Sequence, residues 1–318
     1  MLLARSHKAP MLRLVESIRD ETLEVILEGG VSGRRLEVPR ADGGAVECFV
    51  HDAPRPGSPT LIELHGGGFA LGDARKLDAL CAWARRAFGI GVVSVNYRLA
   101  PDDPFPAALD DVRAVLLATL GDPGSVGMGA GPVFVMGYSA GATLAVASAL
   151  ALGDEGREVP AGLLLHYPFF DAATEPAEKG GREIDLPLDL MRAFNEWYVG
   201  TADVRDPLIS PLYATDAQLA RLPRTLMYPV VGDAMYAEAH QLADRMRAEG
   251  VDVSVSDVEG AYHGYVEDFA NERVYREMNT EEAIAARPAE AAARAREVIV
   301  GGLEVLLGTQ ATEEPDFM

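Results

Sequence analysis

Cysteine is almost absent: Cys48 and Cys81 are the only two in 318 residues. Two cannot make a disulfide framework, and no CxxC pair or Cys/His cluster offers tetrahedral zinc ligands. Cys48 sits in an apolar strand-like run and Cys81 in a helix-like one, so both are expected as buried free thiols. Lysine is as scarce, with only Lys8, Lys76 and Lys179, and 28 basic residues face 49 acidic ones for a formal net charge of −21. A surface of that sign repels phosphate backbones and anionic lipid, which argues against nucleic-acid binding. Long hydrophobic runs are missing too. None approaches the roughly 18 apolar residues of a membrane span. The first segment, MLLARSHKAPMLRLVESIRD, is broken by Arg5, His7, Lys8 and Arg13 and lacks the apolar core of a secretory signal. The expectation is a soluble, cytoplasmic protein with no membrane span.

What is present is ordinary globular material, 48% hydrophobic and 24% charged, enough for a sizeable core that needs neither metal nor disulfides. Met11, Leu12, Val15 and Ile18 recur at helical spacing, predicting an amphipathic N-terminal helix. Residues 35–50 read as two strands around Asp42-Gly43-Gly44, a hairpin signal. Beyond the loop of residues 52–59, short apolar runs at 60–64, 92–96, 133–136, 162–166, 225–230 and 251–257 read as strands. Most are followed by helical patterns, at 75–88, 107–120, 140–152, 237–249 and, last, 288–307. That alternation predicts a mostly parallel sheet covered on both faces. Residues 171–216 depart from the rhythm, being rich in proline, glycine and acidic residues around a short helical piece at 188–198. They read as an insertion lying over the sheet. The acidic tail after Thr309 is expected to be mobile.

Against this background one stretch carries chemistry: Gly137-Tyr138-Ser139-Ala140-Gly141, between an apolar strand and a helix. The G-x-S-x-G pattern in that setting places a serine on a tight turn, its hydroxyl raised above the sheet. Upstream, His65-Gly66-Gly67-Gly68-Phe69 directly follows the strand at 60–64. Its glycines leave backbone N–H groups unobstructed, which suits an oxyanion hole. A nucleotide-phosphate loop is the rival, but the lysine of that motif is missing. His65 itself reads as structural.

A nucleophilic serine needs a base, and the base an orienting carboxylate. Among the downstream histidines, His166 ends an apolar strand and reads as packed, and His240 lies on a polar helix. His263, in Gly260-Ala261-Tyr262-His263-Gly264, follows the last strand and is the best placed. Asp233 follows the strand at 225–230, with Asp257 as its rival for the acid.

With these residues placed, the chain closely resembles the hormone-sensitive-lipase-like family of α/β-hydrolase carboxylesterases. The resemblance rests on HGGGF at 65–69, YRLAP at 97–101 with DDPFPAALDD after it, GYSAG at 137–141, DPLISPL at 206–212, Asp233 and His263. It implies one α/β-hydrolase domain over 1–318: a mostly parallel central sheet flanked by helices, with a small helical cap from about 1–30 and 171–216. It further implies a serine ester hydrolase acting through an acyl-enzyme: Ser139 as nucleophile, His263 as general base, Asp233 as its partner. The oxyanion would lie on the N–H groups of Gly67, Gly68 and Ala140. No metal or cofactor is implied. The substrate is expected to be a small ester with a short acyl group, acetyl to hexanoyl, with Phe69 and Tyr138 lining its pocket. Arg98 is expected to pair with Asp110 or Asp111. The resemblance admits a homodimer. It also leaves open an amidase, lactonase or acyltransferase on the same triad, or a non-catalytic small-molecule receptor. The sequence departs from the family at Tyr138, where an aspartate is usual, and at Asp233-Ala234-Met235-Tyr236, where DPLR is usual.

Overall fold

The computed structural model describes residues 3–181 and 187–316, with side chains of the first helix from Pro10 onward. Its strands are β1 (Arg34–Pro39), β2 (Ala45–His51), β3 (Thr60–Leu64), β4 (Gly91–Asn96), β5 (Val133–Tyr138), β6 (Gly162–His166), β7 (Arg224–Tyr228) and β8 (Val253–Val255). They form one sheet in the order β1-β2-β4-β3-β5-β6-β7-β8. β1 and β2 are the expected hairpin and pair antiparallel, as do β2 and β4, whereas every pairing from β4 to β8 is parallel. The fold is therefore an α/β-hydrolase sheet. The last two strands are shorter than the apolar pattern suggests. Pro229 ends β7, since it has no N–H to continue the ladder, and pairing resumes only as the isolated bridge Val230–Val258.

Alternation along the strands feeds two cores, because successive side chains face opposite sides of a sheet. Ile62, Leu64, Val93, Val95, Val135 and Leu165 pack under α3 (Ala107–Gly121), α4 (Ala140–Asp154) and α7 (Tyr236–Ala248). Leu61, Val92, Phe134, Met136 and Leu164 pack under α2 (Asp78–Phe88), α8 (Tyr265–Ala270) and α11 (Ala291–Leu307). Every residue from Ala140 to Leu152 is buried, as expected of a helix apolar all round.

The predicted N-terminal helix is α1 (Leu3–Gly29), with Val15 fully buried. It lies against α5 (Leu188–Val199) and α9 (Glu272–Met278). The expected insertion over 171–216 contains α5 and ends at α6 (Asp216–Leu219); its residues 182–186 lie outside the described residues. The stretch from 265 to 288, given no structure in the sequence reading, folds as α8, α9 and α10 (Glu281–Ala285). The tail corrects an expectation: it lies along α2 instead of hanging free. Thr312 donates to the Ala87 carbonyl, Trp83 Nε1 donates to the Glu313 carbonyl, and Arg86 pairs with Glu313 and Asp316. Its acidic residues meet the arginine at the end of α2, so charge attraction overrides the disorder its composition suggests. Phe317 and Met318 lie outside the described residues.

Candidate active site

The carboxyl ends of parallel strands are where site-bearing loops gather in open α/β sheets, and β3, β5, β7 and β8 each deliver a residue there. Ser139 sits between β5 and α4 with φ 48° and ψ −112°. A non-glycine residue in that region costs about 1–3 kcal/mol and persists only where its surroundings enforce it. The enforcement is close packing of strand on helix. A Cβ on Gly137 would meet the Gly141 carbonyl oxygen at 2.5 Å, and one on Gly141 the Leu64 carbonyl oxygen at 2.1 Å. The GxSxG glycines are thus dictated by contact between β3, β5 and α4.

His263 Nε2 lies 2.8 Å from Ser139 Oγ, and His263 Nδ1 lies 2.7 Å from Asp233 Oδ2. Ser139 is 8% exposed, while the His263 and Asp233 side chains are 7% and 2% exposed. Burial pushes the Asp233 carboxyl up, but the His263 ring and the backbone N–H groups of Met235 and Ala234 outweigh it. The net effect is a carboxyl below its ordinary range, so Asp233 is ionised at neutral pH. The rival Asp257 is engaged elsewhere, accepting from Tyr236 Oη at 2.7 Å and lying 2.8 Å from His240 Nε2. His240 is thus half-exposed on α7 as expected. His166 is fully buried between the rings of Tyr138 and Tyr228, and burial drives its pKa down to about 3, keeping it neutral.

The HGGGF loop leaves β3 beside Ser139. Gly67 has φ +113°, and a Cβ there would strike the Leu71 carbonyl oxygen at 2.2 Å; only glycine fits. His65 is structural, its ring stacked on Tyr97 at 4.2 Å and its carbonyl accepting from Tyr97 Oη at 2.7 Å. The loop has an anchor that motif reading missed. Glu267 on α8 is 7% exposed and accepts from the Gly66 N–H at 3.0 Å and from Tyr167 Oη at 3.3 Å. Its only sequence signal is an acid four residues after His263. Arg98 donates to Asp111 at 2.9 Å, with Asp111 1% exposed, while Asp110 faces Arg113.

A cavity of about 990 Å³ opens over these groups, lined among others by Gly67, Gly68, Phe69, Ser139, Ala140 and His263. Phe69 lines it as expected, stacked on Tyr198 at 3.6 Å. Tyr138 does not. It shares the sheet face of Phe134 and Met136, with its hydroxyl against Met136 Sδ at 3.4 Å and its ring fully buried. Alternation along β5 turns it away from the neighbouring serine. Walls come from α1 through Ile18 and Leu23, from α5 through Met191 and Phe194, and from residues 262–288 through Tyr275, Met278 and Ala286.

Comparison with known proteins agrees with this architecture. Residues 61–267 match a family described by the α/β-hydrolase fold. An acetyl-hydrolase of Streptomyces hygroscopicus is 33% identical over 235 residues, covering 72% of this chain and 76% of that protein. Esterase LipI of Mycobacterium tuberculosis is 31% identical over 211 residues, 66% of either chain. Among solved structures, the Pyrobaculum calidifontis esterase superposes with a TM-score of 0.72 at 26% identity, covering 91% of this chain and 92% of that one. The chain belongs to the hormone-sensitive-lipase-like family of α/β-hydrolase carboxylesterases.

Proposed function

We propose that the protein hydrolyses carboxylic esters of short acyl chains, about two to six carbons, through an acyl-enzyme on Ser139. The observation that carries the reading is the unbroken relay from Ser139 Oγ to His263 to Asp233, at 2.8 and 2.7 Å. In the first half-reaction Ser139 Oγ attacks the ester carbonyl carbon while His263 Nε2 takes the hydroxyl proton. The carbonyl oxygen gains charge facing the N–H groups of Gly67, Gly68 and Ala140, at a helix start whose dipole favours an anion. Asp233, ionised and buried, stabilises the imidazolium. Collapse of the tetrahedral species expels the alcohol, which receives the proton from His263. Water then attacks the acyl carbon and gives a proton to His263 Nε2; collapse breaks the bond to Ser139 Oγ, which takes that proton back, and the acid leaves.

A short acyl chain is supported by the aromatic packing at the oxyanion loop. A Cβ on Gly68 would meet the Phe194 ring at 2.1 Å, and Phe69 packs on Phe169 and Tyr198. We assign the cap role to α1 and the 171–216 stretch, joined by residues 262–288. Purified protein is expected to hydrolyse p-nitrophenyl acetate and butyrate, with Ser139→Ala losing activity to background. Undiminished turnover in that variant sinks the assignment.

A further inference from the structure

The N-terminal helix reaches the HGGGF loop through Arg19. This side chain is 20% exposed and lines the same cavity as Ser139 and His263. Its Nε donates to the Ala70 carbonyl at 2.7 Å, its Nη2 to the Ala100 carbonyl and its Nη1 to Asp102 Oδ2 at 3.2 Å. Both carbonyls belong to the frame of the loop. The Phe69 carbonyl accepts from the Ala100 N–H at 2.9 Å, and the Gly67 carbonyl accepts from the N–H groups of Ala70 and Leu71 at 3.1 and 2.7 Å. A peptide unit is planar, with its C=O and N–H directed oppositely. Fixing the Gly67 carbonyl therefore fixes the direction of the Gly68 N–H. The loop needs such a hold, because Gly67, Gly68 and Phe69 follow one another at φ 113°, 59° and 61°. Phe69 carries a Cβ and keeps that conformation only where its surroundings enforce it. Arg19 adds to the enforcement by bridging the end of the loop to the segment that holds Phe69.

Arg19 lies outside residues 61–267, where the family match falls, and the helix that carries it also walls the cavity at Ile18 and Leu23. That helix is seated by apolar packing, with Val15 and Ile26 buried, and by Glu28 pairing with Arg273 at 2.6 Å. One element thus both covers the cavity and grips the loop. Resting on the ester-hydrolase reading above and on its oxyanion site, we propose that Arg19 is a positioning residue that makes the donor geometry at Gly67 and Gly68 depend on α1 being seated over the cavity.

Arg19→Met is expected to lower kcat for p-nitrophenyl acetate and butyrate by the same factor, roughly tenfold, with KM little changed. The factor is smaller than for outright removal of an oxyanion donor because the loop is loosened, not lost. The second readout is inhibition by a small alkyl trifluoromethyl ketone. Ser139 Oγ adds to its carbonyl carbon, the hydroxyl proton passes to His263 and the ketone oxygen carries the charge, so the inhibition constant should rise by the factor by which kcat falls. Arg19→Lys, with one ammonium in place of a fork that spans two carbonyls, should recover part of both. Asp102 is 74% exposed, and Asp102→Asn removes the ion pair but neither carbonyl contact, so kcat should stay within about twofold. Circular dichroism and urea unfolding establish that each variant is folded, and if Arg19→Met is not, Arg19→Lys against the parent carries the same paired comparison. Unchanged kcat, a loss confined to KM, or a fall in kcat with the inhibition constant unmoved overturns the proposal, as does an equal loss in Asp102→Asn. Failure of the ester-hydrolase reading looks different: the parent would turn over neither ester, or Ser139→Ala would leave turnover intact.

Discussion

Replacing Asp233 by asparagine keeps the shape of the group but reverses the hydrogen bond that selects the His263 tautomer. A loss of roughly 10⁴ in kcat is expected, with secondary structure unchanged by circular dichroism. Asp257→Asn should leave kcat/KM within about twofold, because that carboxylate serves His240 and Tyr236. Equal losses in the two variants would refute the assignment of the acid. Glu267 works one step further back. It touches the backbone of the HGGGF loop, where we propose that the oxyanion is held, through the Gly66 N–H, and in that reading it is a positioning residue. Removing an oxyanion donor costs about 10²–10³ in turnover, and letting the loop drift should cost less. Glu267→Leu is expected to lower kcat roughly tenfold with KM little changed, and Glu267→Gln, whose amide oxygen still accepts from Gly66, should recover most of it. A loss confined to KM would assign Glu267 to substrate binding instead.

At the scale of elements, legibility followed periodicity. β3 and β6 stand where their apolar runs do, and α3, α4 and α7 agree with their patterns within a residue or two at either end. GYSAG and HGGGF were readable because each is a point where backbones touch, and only glycine survives the contacts at Gly137, Gly141 and Gly67. The direction of Tyr138 was also available, since Phe134, Met136 and Tyr138 alternate onto one face, but motif position outweighed strand parity. Helices α8, α9 and α10 were not legible. They span six, seven and five residues, too short to show a helical period, and their stability comes from tertiary packing. The same holds for the loop between β6 and α5, held, among the described residues, by a buried ion pair. Lys179 Nζ meets Glu238 Oε2 at 2.5 Å and the Asp171 carbonyl, with the two side chains 4% and 7% exposed. Glu238 also accepts from the Phe170 N–H at 2.6 Å, which ties α7 to the cavity wall at Phe169. Lys179→Met should destabilise by about 3–5 kcal/mol, since it leaves a buried carboxylate without its counter-ion. Lys179→Met with Glu238→Leu should recover part of that loss. Urea unfolding of the two variants checks this, and a single variant as stable as the parent would refute the pair's role.

For the whole molecule, pH acts through a few buried carboxylates and through the net charge of −21. Glu63 on β3 is fully buried; its Oε2 accepts from the Ser94 hydroxyl while its Oε1 has no partner among the described residues. Burial pushes its pKa up to about 8 from an ordinary 4.5. Between those values the folded chain holds a proton that the unfolded chain has released, so stability falls as pH rises through the window, by at most about 1.4 kcal/mol per pH unit. Asp78 carries the opposite sign. Burial raises it, but His51, the Ser32 hydroxyl and the N–H groups of Ser32 and Gly33 outweigh that and bring it down to about 2. Its contribution is complete above its ordinary 3.8 and disappears as pH falls toward 2. Self-repulsion of the acidic surface adds to the loss at high pH and is screened by salt. His166, neutral in the fold down to about 3 against an ordinary 6.5, acts the other way between those values and offsets Glu63 below 6.5, so maximum stability is expected between about pH 4.5 and 6.5. Glu63→Gln, which stays neutral at every pH, should flatten the decline toward pH 8 while leaving the salt dependence intact. Thermal unfolding of both proteins across pH 3–9, at low and high salt, measures this directly. Parallel curves for the two would show that surface charge alone sets the slope and that Glu63 has no part in it.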